Sequence, residues 1–369
     1  MTSREPVACP DCGLAQRLPA IADHEVARCR RCNRLLQVPD TQSRAAIALT
    51  LAALLLWLPG CLAPLLTVTA GGASRTTNLI GCAVRLRGTG YPPLSVLVAV
   101  LMVGVPTAFM LLTLVQALPG IAERSRRGCR TFAHYLRPWL MTEVFVVGGC
   151  VAYSRIQAVA NVRVDVGGWC LAAAAALLIG SLALSGDPPQ QWEIGHRRPV
   201  RKASHRLTTL LLIAGLVLYI PANVLPVLQT ERYGNIESNT ILSGVVELVH
   251  YDLWPLALIV FMASVVVPLG KLFGLAWLLW QTRQQSPRHL HHRTRVYRLI
   301  DSIGRWSNID VFTISILAGL VQFGILTRVR PEPGALAFAG VVLITMIAAQ
   351  SFDPRAMWQA APMPGSTGT

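Results

Sequence analysis

Trp57-Leu-Pro-Gly-Cys-Leu-Ala-Pro-Leu-Leu66 and Tyr219-Ile-Pro-Ala-Asn-Val-Leu-Pro-Val-Leu228 read as one element written twice, about 162 residues apart, with an aromatic residue and two prolines in register. Pro59 falls on Pro221 and Pro64 on Pro226. The correspondence continues downstream. Pro106 falls on Pro268 within the next apolar run, and Trp139-Leu-Met-Thr-Glu-Val-Phe145 falls on Trp306-Ser-Asn-Ile-Asp-Val-Phe312. Asp187-Pro188 with Trp192 falls on Asp353-Pro354 with Trp358. A repeat of this length implies two copies of one structural unit, with function on or between them.

The units belong in a bilayer. Of 369 residues, 53% are hydrophobic and 14% charged, and the mean hydropathy is +0.49. A soluble domain carries about 25% charged residues. Crossing about 30 Å of hydrocarbon takes about 20 helical residues. Eight apolar stretches meet that length: 45–68, 93–117, 139–159, 167–185, 207–228, 253–280, 309–327 and 335–351. Four spans return the chain to its starting side, so the units are expected to lie parallel, related by an axis along the membrane normal. The expected division is a zinc ribbon at 1–44, a first four-helix unit at 45–192, a basic linker at 193–206, a second unit at 207–358 and a disordered tail at 359–369.

Orientation follows from the basic residues. The first 44 residues, the loop holding Arg124, Arg126, Arg127, Arg130 and Arg137, the linker holding Arg197, Arg198, Arg201, Lys202 and Arg206, and the loop holding Arg283, Arg288, Arg293, Arg295 and Arg298 fall on one side. By the positive-inside rule that side is the cytoplasm, and both termini lie there. The same asymmetry accounts for a net charge of +15 without nucleic acid. The first apolar run is of full spanning length and follows a polar, cysteine-bearing segment, so it reads as a retained span rather than a cleavable signal.

Cys9-Pro-Asp-Cys12-Gly and Cys29-Arg-Arg-Cys32-Asn have the spacing of a four-cysteine zinc ribbon. Gly13 and Asn33 sit where each knuckle wants a positive φ. A cytosolic ribbon keeps its thiols reduced, which favours metal over disulfide. Four protein ligands leave no open position, so the zinc is expected to be structural. A domain of about 40 residues needs that metal to fold. A matching ribbon at 193–206 has no cysteine.

These features resemble the paraquat-inducible protein A family. The resemblance rests on the Ala8-Cys-Pro-Asp-Cys12 ribbon, the paired prolines of each first span, Pro268-Leu-Gly-Lys271, Trp306 to Phe312, and Ser351-Phe-Asp-Pro354 with Trp358. It covers almost the whole chain. It implies a multi-pass protein of the Gram-negative inner membrane that works with a periplasmic mammalian-cell-entry domain protein to move phospholipids between membranes. Two departures stand out: the second ribbon is missing, and Pro106-Thr-Ala-Phe109 stands where the family usually carries proline followed by lysine.

An ionisable residue inside a span is a functional candidate by default. Lys271 lies near the middle of the sixth span, flanked by Gly270 and Gly274, which permit close helix approach. Its plainer reading is snorkelling or simple pairing; its sharper reading is a buried cation facing Asp310 or Glu143, gating transport or relaying a proton. Asp310 and Glu143 hold equivalent positions, and their plainer reading is a carboxylate complementing a helix start. Asn223, between Pro221 and Pro226, reads as a broken helix whose freed carbonyls need a partner. Ser238-Asn239-Thr240 reads as the cap of an amphipathic periplasmic segment. The resemblance makes that segment a lipid or partner face. Arg155, Gln157 and Asn161 either line a polar cavity or sit at the membrane interface.

No phosphate-binding Gly-x-x-x-x-Gly-Lys-Ser/Thr loop, His-Glu-x-x-His or Gly-x-Ser-x-Gly element is present. The expectation is a non-enzymatic lipid transporter subunit with no catalytic residues. The alternatives are a membrane thiol or quinone redox enzyme, which would need periplasmic dithiols, and a passive scaffold for the tunnel.

Overall fold

A computed structural model describes residues 7–17, 26–37, 40–70, 73–88, 90–157, 160–185, 202–232, 235–250, 252–284, 289–320 and 327–359. Most of the expected linker, up to residue 201, and the tail from 360 lie outside the described residues.

Two small antiparallel hairpins open the chain, β1 (Val7–Ala8) with β2 (Ala15–Gln16) and β3 (Ala27–Arg28) with β4 (Leu35–Gln37). The apolar part then runs α1 (Asp40–Leu62), β5 (Leu66–Ala70), β6 (Ala73–Thr77), α2 (Leu79–Arg87), α3 (Pro92–Ala99), α4 (Val105–Ala117), α5 (Glu123–Leu136), α6 (Thr142–Gln157), β7 (Asn161–Val164) and α7 (Val166–Leu184). A similar order follows: α8 (Lys202–Val224), β8 (Leu228–Arg232), β9 (Asn235–Asn239), α9 (Ile241–His250), α10 (Trp254–Phe261), α11 (Val267–Arg283), α12 (Leu290–Ile303), α13 (Ile309–Leu320), β10 (Thr327–Pro331) and α14 (Pro333–Ser351). The short α15 (Arg355–Gln359) closes the described chain.

Helix dominates because a backbone without water must bond within its own segment. The first span was expected to run to residue 68 and the fifth to 228, but α1 ends at Leu62 and α8 at Val224. Pro64 and Pro226 lack the N–H that another helical turn would use. The chain leaves in extended form, and strands β5 and β8 each become the middle of a three-stranded antiparallel sheet. Leu66 pairs with Thr77 and Val164, and Leu228 pairs with Asn239 and Pro331. The apolar part is therefore mostly helical, consistent with the expected all-α membrane protein, and carries two small three-stranded sheets where its helices give way to strand.

Among the described residues, seven helices are long and apolar enough to cross a membrane: Arg44–Leu62, Pro92–Ala117, Glu123–Gln157, Val166–Leu184, His205–Val224, Trp254–Arg283 and Pro333–Trp358. The seventh expected span, 309–327, is represented by α13, and residues 321–326 lie outside the described residues. Residues 307–319 are all buried. Helix α13 is thus wrapped by protein, with α6 and α2 as its main neighbours.

Small residues permit the close approach. A Cβ on Gly148 would lie 3.2 Å from Ile309 O, and one on Gly319 would lie 3.0 Å from Cys82 Cα. Phe145 and Phe312 meet edge to face at 5.9 Å, and Thr313 Oγ1 donates to Gly148 O at 3.2 Å. In lipid such packing and interhelical hydrogen bonds hold helices together, each bond worth about 0.6 kcal/mol on average.

Helices α3 and α4 form one span through a π-helical turn at Val100–Gly104, and α10 and α11 through another at Met262–Val266. Val105 N–H reaches back to Val100 O, and Val267 N–H to Met262 O. Pro106 and Pro268 follow immediately. A missing donor at each proline lets the ladder slip by one residue.

Candidate metal centre and buried polar network

Each cysteine pair sits on a tight turn. Gly13 N–H donates to Cys9 O at 2.8 Å and Asn33 N–H to Cys29 O at 2.9 Å, while Cys9 N–H reaches Leu14 O and Cys29 N–H reaches Arg34 O. Gly13 (φ 71°) and Asn33 (φ 59°) hold the left-handed conformation expected of them. The four Sγ atoms lie within 4.8 Å of one another, with Cys9–Cys32 at 3.4 Å and Cys12–Cys29 at 3.5 Å.

Four sulfurs around one ion at about 2.3 Å stand about 3.8 Å apart, so Cys9, Cys12, Cys29 and Cys32 can hold a metal. Hydrogen bonds among the sulfurs draw the Cys32 thiol down, while bonds with Cys32 and Cys9, aided by burial, push the Cys12 thiol up. A divalent cation would suit all four sulfurs at once.

The two cysteine-bearing hairpins dock on the far end of the sequence. Arg298 of α12 reaches Asp11 and Cys32, Arg31 stacks over Trp358 with its guanidinium 4.5 Å from the ring centroid, and Trp358 Nε1 donates to Thr294 Oγ1 at 3.1 Å. The cysteines share one buried cluster with Leu272, Leu275, Ile300, Phe352 and Trp358. Sequence spacing marks Trp358 without its role, and the basic stretch that reads as a loop is the helix α12.

Under the cysteine-bearing hairpins lies a cavity of 580 Å³. Its lining includes Asp11, Arg34, Tyr297, Arg305 and, on its inner wall, Lys271. Lys271 is 2% exposed. Its ammonium donates to Ser307 Oγ at 3.0 Å and more weakly to Thr345 Oγ1 at 3.5 Å. Gly304 makes room, since a Cβ there would come within 2.8 Å of Lys271 Cε. Burial pushes the Tyr297 hydroxyl up, keeping it a neutral donor toward Ala349 O at 3.4 Å.

The expected Lys271–Asp310 pair does not form. Asp310, in the first turn of α13, accepts from Ser264 Oγ in the π-helical turn. Glu143, in the first turn of α6, pairs with Arg305 at 3.1 Å. The hydroxyls Ser264, Ser307 and Thr345 carried no sequence signal of their own; their alignment with apolar Met102, Leu140 and Ile179 in the first half would have flagged them. Gly270 meets nothing within 4 Å and is not a close-approach site, whereas Gly274 faces Ile300, with a Cβ there 2.5 Å from its Cδ1.

Two further expectations change on the opposite end. Helix α8 runs through Pro221 without breaking, and Asn223 Nδ2 bonds its own helix at Tyr219 O, 2.9 Å away. Ser238 and Asn239 are strand residues paired with Gln229 and Leu228. Thr240 alone caps α9, its Oγ1 accepting from Ser243 N–H at 3.2 Å. Arg155 buries its Nε without a hydrogen-bond partner, within electrostatic reach of Asp310 and Glu247.

The architecture is that of a multi-pass helical membrane protein with a metal-competent cysteine cluster at one end and a polar network in its core. The chain belongs to the paraquat-inducible protein A family, whose profile matches it twice, over residues 44–194 and 206–362. It is 29% identical to the intermembrane transport protein PqiA of Escherichia coli (strain K12) over 402 residues, covering 96% of each chain. It is 24% identical to a probable intermembrane transport protein of Haemophilus influenzae, covering 95% of each. It is 25% identical to lipophilic envelope-spanning tunnel protein A of Escherichia coli (strain K12), covering 95% of this chain and 91% of that one. No solved structure matches.

Proposed function

We propose that this chain is the inner-membrane subunit of a lipid transport system, passing phospholipids between the inner membrane and a periplasmic mammalian-cell-entry domain protein. The observation that carries the reading is similarity along 95–96% of the chain to proteins named for intermembrane transport. The relatives are named as transport proteins, which fits a subunit without catalytic residues. The helical order repeats, and we read it as two parallel tandem units, with α13 as the seventh of eight spans. The ribbon end, rich in arginine, lies in the cytoplasm, and the cysteine cluster holds structural Zn2+.

Transport residues are then Lys271 with Ser307 and Thr345, Asp310 with Ser264, and Glu143 with Arg305, while Asn223 supports its own helix. A buried lysine among hydroxyls gives a charge or proton step in the cycle. The two sheets and α9 lie on the periplasmic side. Strand residues Ser238 and Asn239, the cap Thr240, and the exposed Ile236, Leu242, Val246 and Val249 offer an amphipathic surface to lipid or to the tunnel protein.

The test is affinity capture of the tagged chain in mild detergent, with protein identification and lipid mass spectrometry on one eluate. Co-purified mammalian-cell-entry protein with enriched phospholipid supports the reading. Neither partner nor lipid, but a bound quinone, replaces it with a redox enzyme. Loss of lipid transfer in Lys271→Ala with retention in Lys271→Arg assigns a charge role rather than a proton relay.

A further inference from the structure

The ribbon opens the chain yet is bonded to its far end, and that contact has the chemistry of a metal site's outer shell. Arg298 donates from Nη2 to Cys32 Sγ at 3.4 Å and to Cys32 O at 3.1 Å, and from Nε to Asp11 Oδ2 at 2.8 Å. Asp11 is 3% exposed and also takes Arg34 Nη1 at 3.1 Å. Four thiolates about a divalent ion carry a net charge of about −2. Donors to the ligating atoms hold that charge and orient the ligands.

The ribbon also forms one wall of the cavity beside Lys271, through Ala8, Pro10, Asp11, Arg34, Leu35 and Leu36. Ala349 also lines the cavity, is 4% exposed and shares a buried cluster with the four cysteines.

We propose that Arg298 is a positioning residue that clamps the metal-loaded cysteine cluster onto the membrane unit, making the ribbon a metal-dependent cover over the cavity that leads to Lys271. Without metal the ribbon loses the interaction that folds it. Arg298 then loses its sulfur acceptor, Asp11 is no longer held between two arginines, and the cavity opens. The inference rests on the metal reading and is independent of which lipid is moved.

The test uses the full chain in mild detergent, with metal content measured by elemental mass spectrometry. Under titration with a chromogenic chelator, Arg298→Ala gives up its metal at roughly tenfold lower chelator than the parent chain. Arg298→Lys, which restores the charge without the forked donors, falls between them. A second measurement keeps Arg298 intact. Ala349→Cys, treated with N-ethylmaleimide and read by peptide mass spectrometry, reacts slowly when loaded and roughly tenfold faster after chelation. Cys82, 0% exposed, serves as the unreactive reference. Equal chelator sensitivity of Arg298→Ala and the parent overturns the clamp. Labelling of Ala349→Cys that ignores the metal overturns the cover. A parent chain that holds no metal overturns both, together with the metal assignment.

Discussion

Arg305 Nη1 stands 3.1 Å from Glu143 Oε1, tying the turn before α13 to the first turn of α6. The side chains keep 28% and 20% of their exposure, so water still screens them. The arginine also reaches Leu140 O at 3.4 Å. In a double-mutant cycle of Glu143→Gln and Arg305→Met, the coupling in detergent unfolding is expected to be about 1 kcal/mol or less. A larger coupling would mean that the pair is shielded in the membrane to a degree the structure does not show.

Metal removal should act at one end of the molecule. Replacing any one of Cys9, Cys12, Cys29 or Cys32 with serine lowers bound metal to well below one per chain and makes the ribbon segment protease-sensitive, with the apolar helices intact. Because protons compete with metal for thiolates, acidification releases the ion and raising the pH restores it. Metal content against pH, with limited proteolysis at each point, checks both statements. Retention in a serine variant would exclude a four-cysteine site.

Gly167 and Gly334 stand at the starts of α7 and α14, where added Cβ atoms would lie 2.6 Å from Ala63 O and 2.5 Å from Pro226 O. Backbone at both sites is fixed by hydrogen bonds from Gly167 N–H to Pro64 O and from Gly334 N–H to Pro226 O. Alanine at either position should destabilise by about 1–3 kcal/mol. Gly270→Ala, with open space around it, should be neutral or stabilising by up to about 1 kcal/mol. Thermal stability in one detergent compares all three, and a harmless Gly334→Ala would contradict the packing at the α8–α14 junction.

Gly304→Ala offers a way to disturb Lys271 without touching it. The new methyl forces the lysine tip from Ser307, so lipid transfer in reconstituted vesicles should fall while partner capture persists. Gly304→Ala with full transfer would show that the Lys271–Ser307 bond is dispensable.

Apolar runs placed most helices to within a few residues, because a bilayer demands length and hydrophobicity and little else. They misjudged the ends of α1 and α8, where Leu66 and Leu228 are apolar enough to prolong a span. The fact that decides their conformation is pairing with Val164 and Pro331, about 100 residues away, which no local pattern carries. The four cysteines were legible because their ligand spacing is local. Lys271 was legible as an anomaly, but its partners Ser307 and Thr345 were not, since hydroxyls cost little inside a helix and leave no mark on hydropathy. The docking of Asp11 on Arg298 joins residues from opposite ends of the chain and was beyond reach for the same reason.

The π-helical turn at Met262–Val266 has a consequence for the direction in which Lys271 points. One extra residue in a helix of 3.6 residues per turn rotates everything after it by about 100°. Ser264, within the turn, addresses Asp310, while Lys271, two turns on, addresses Ser307 and Thr345. Tightening the turn into regular α-helix would swing the ammonium through about a quarter of a circle, away from both hydroxyls. The span therefore contains a phase shifter, and deletion of a single residue from Met262–Val266 would re-aim its only lysine while leaving the composition of the helix almost unchanged.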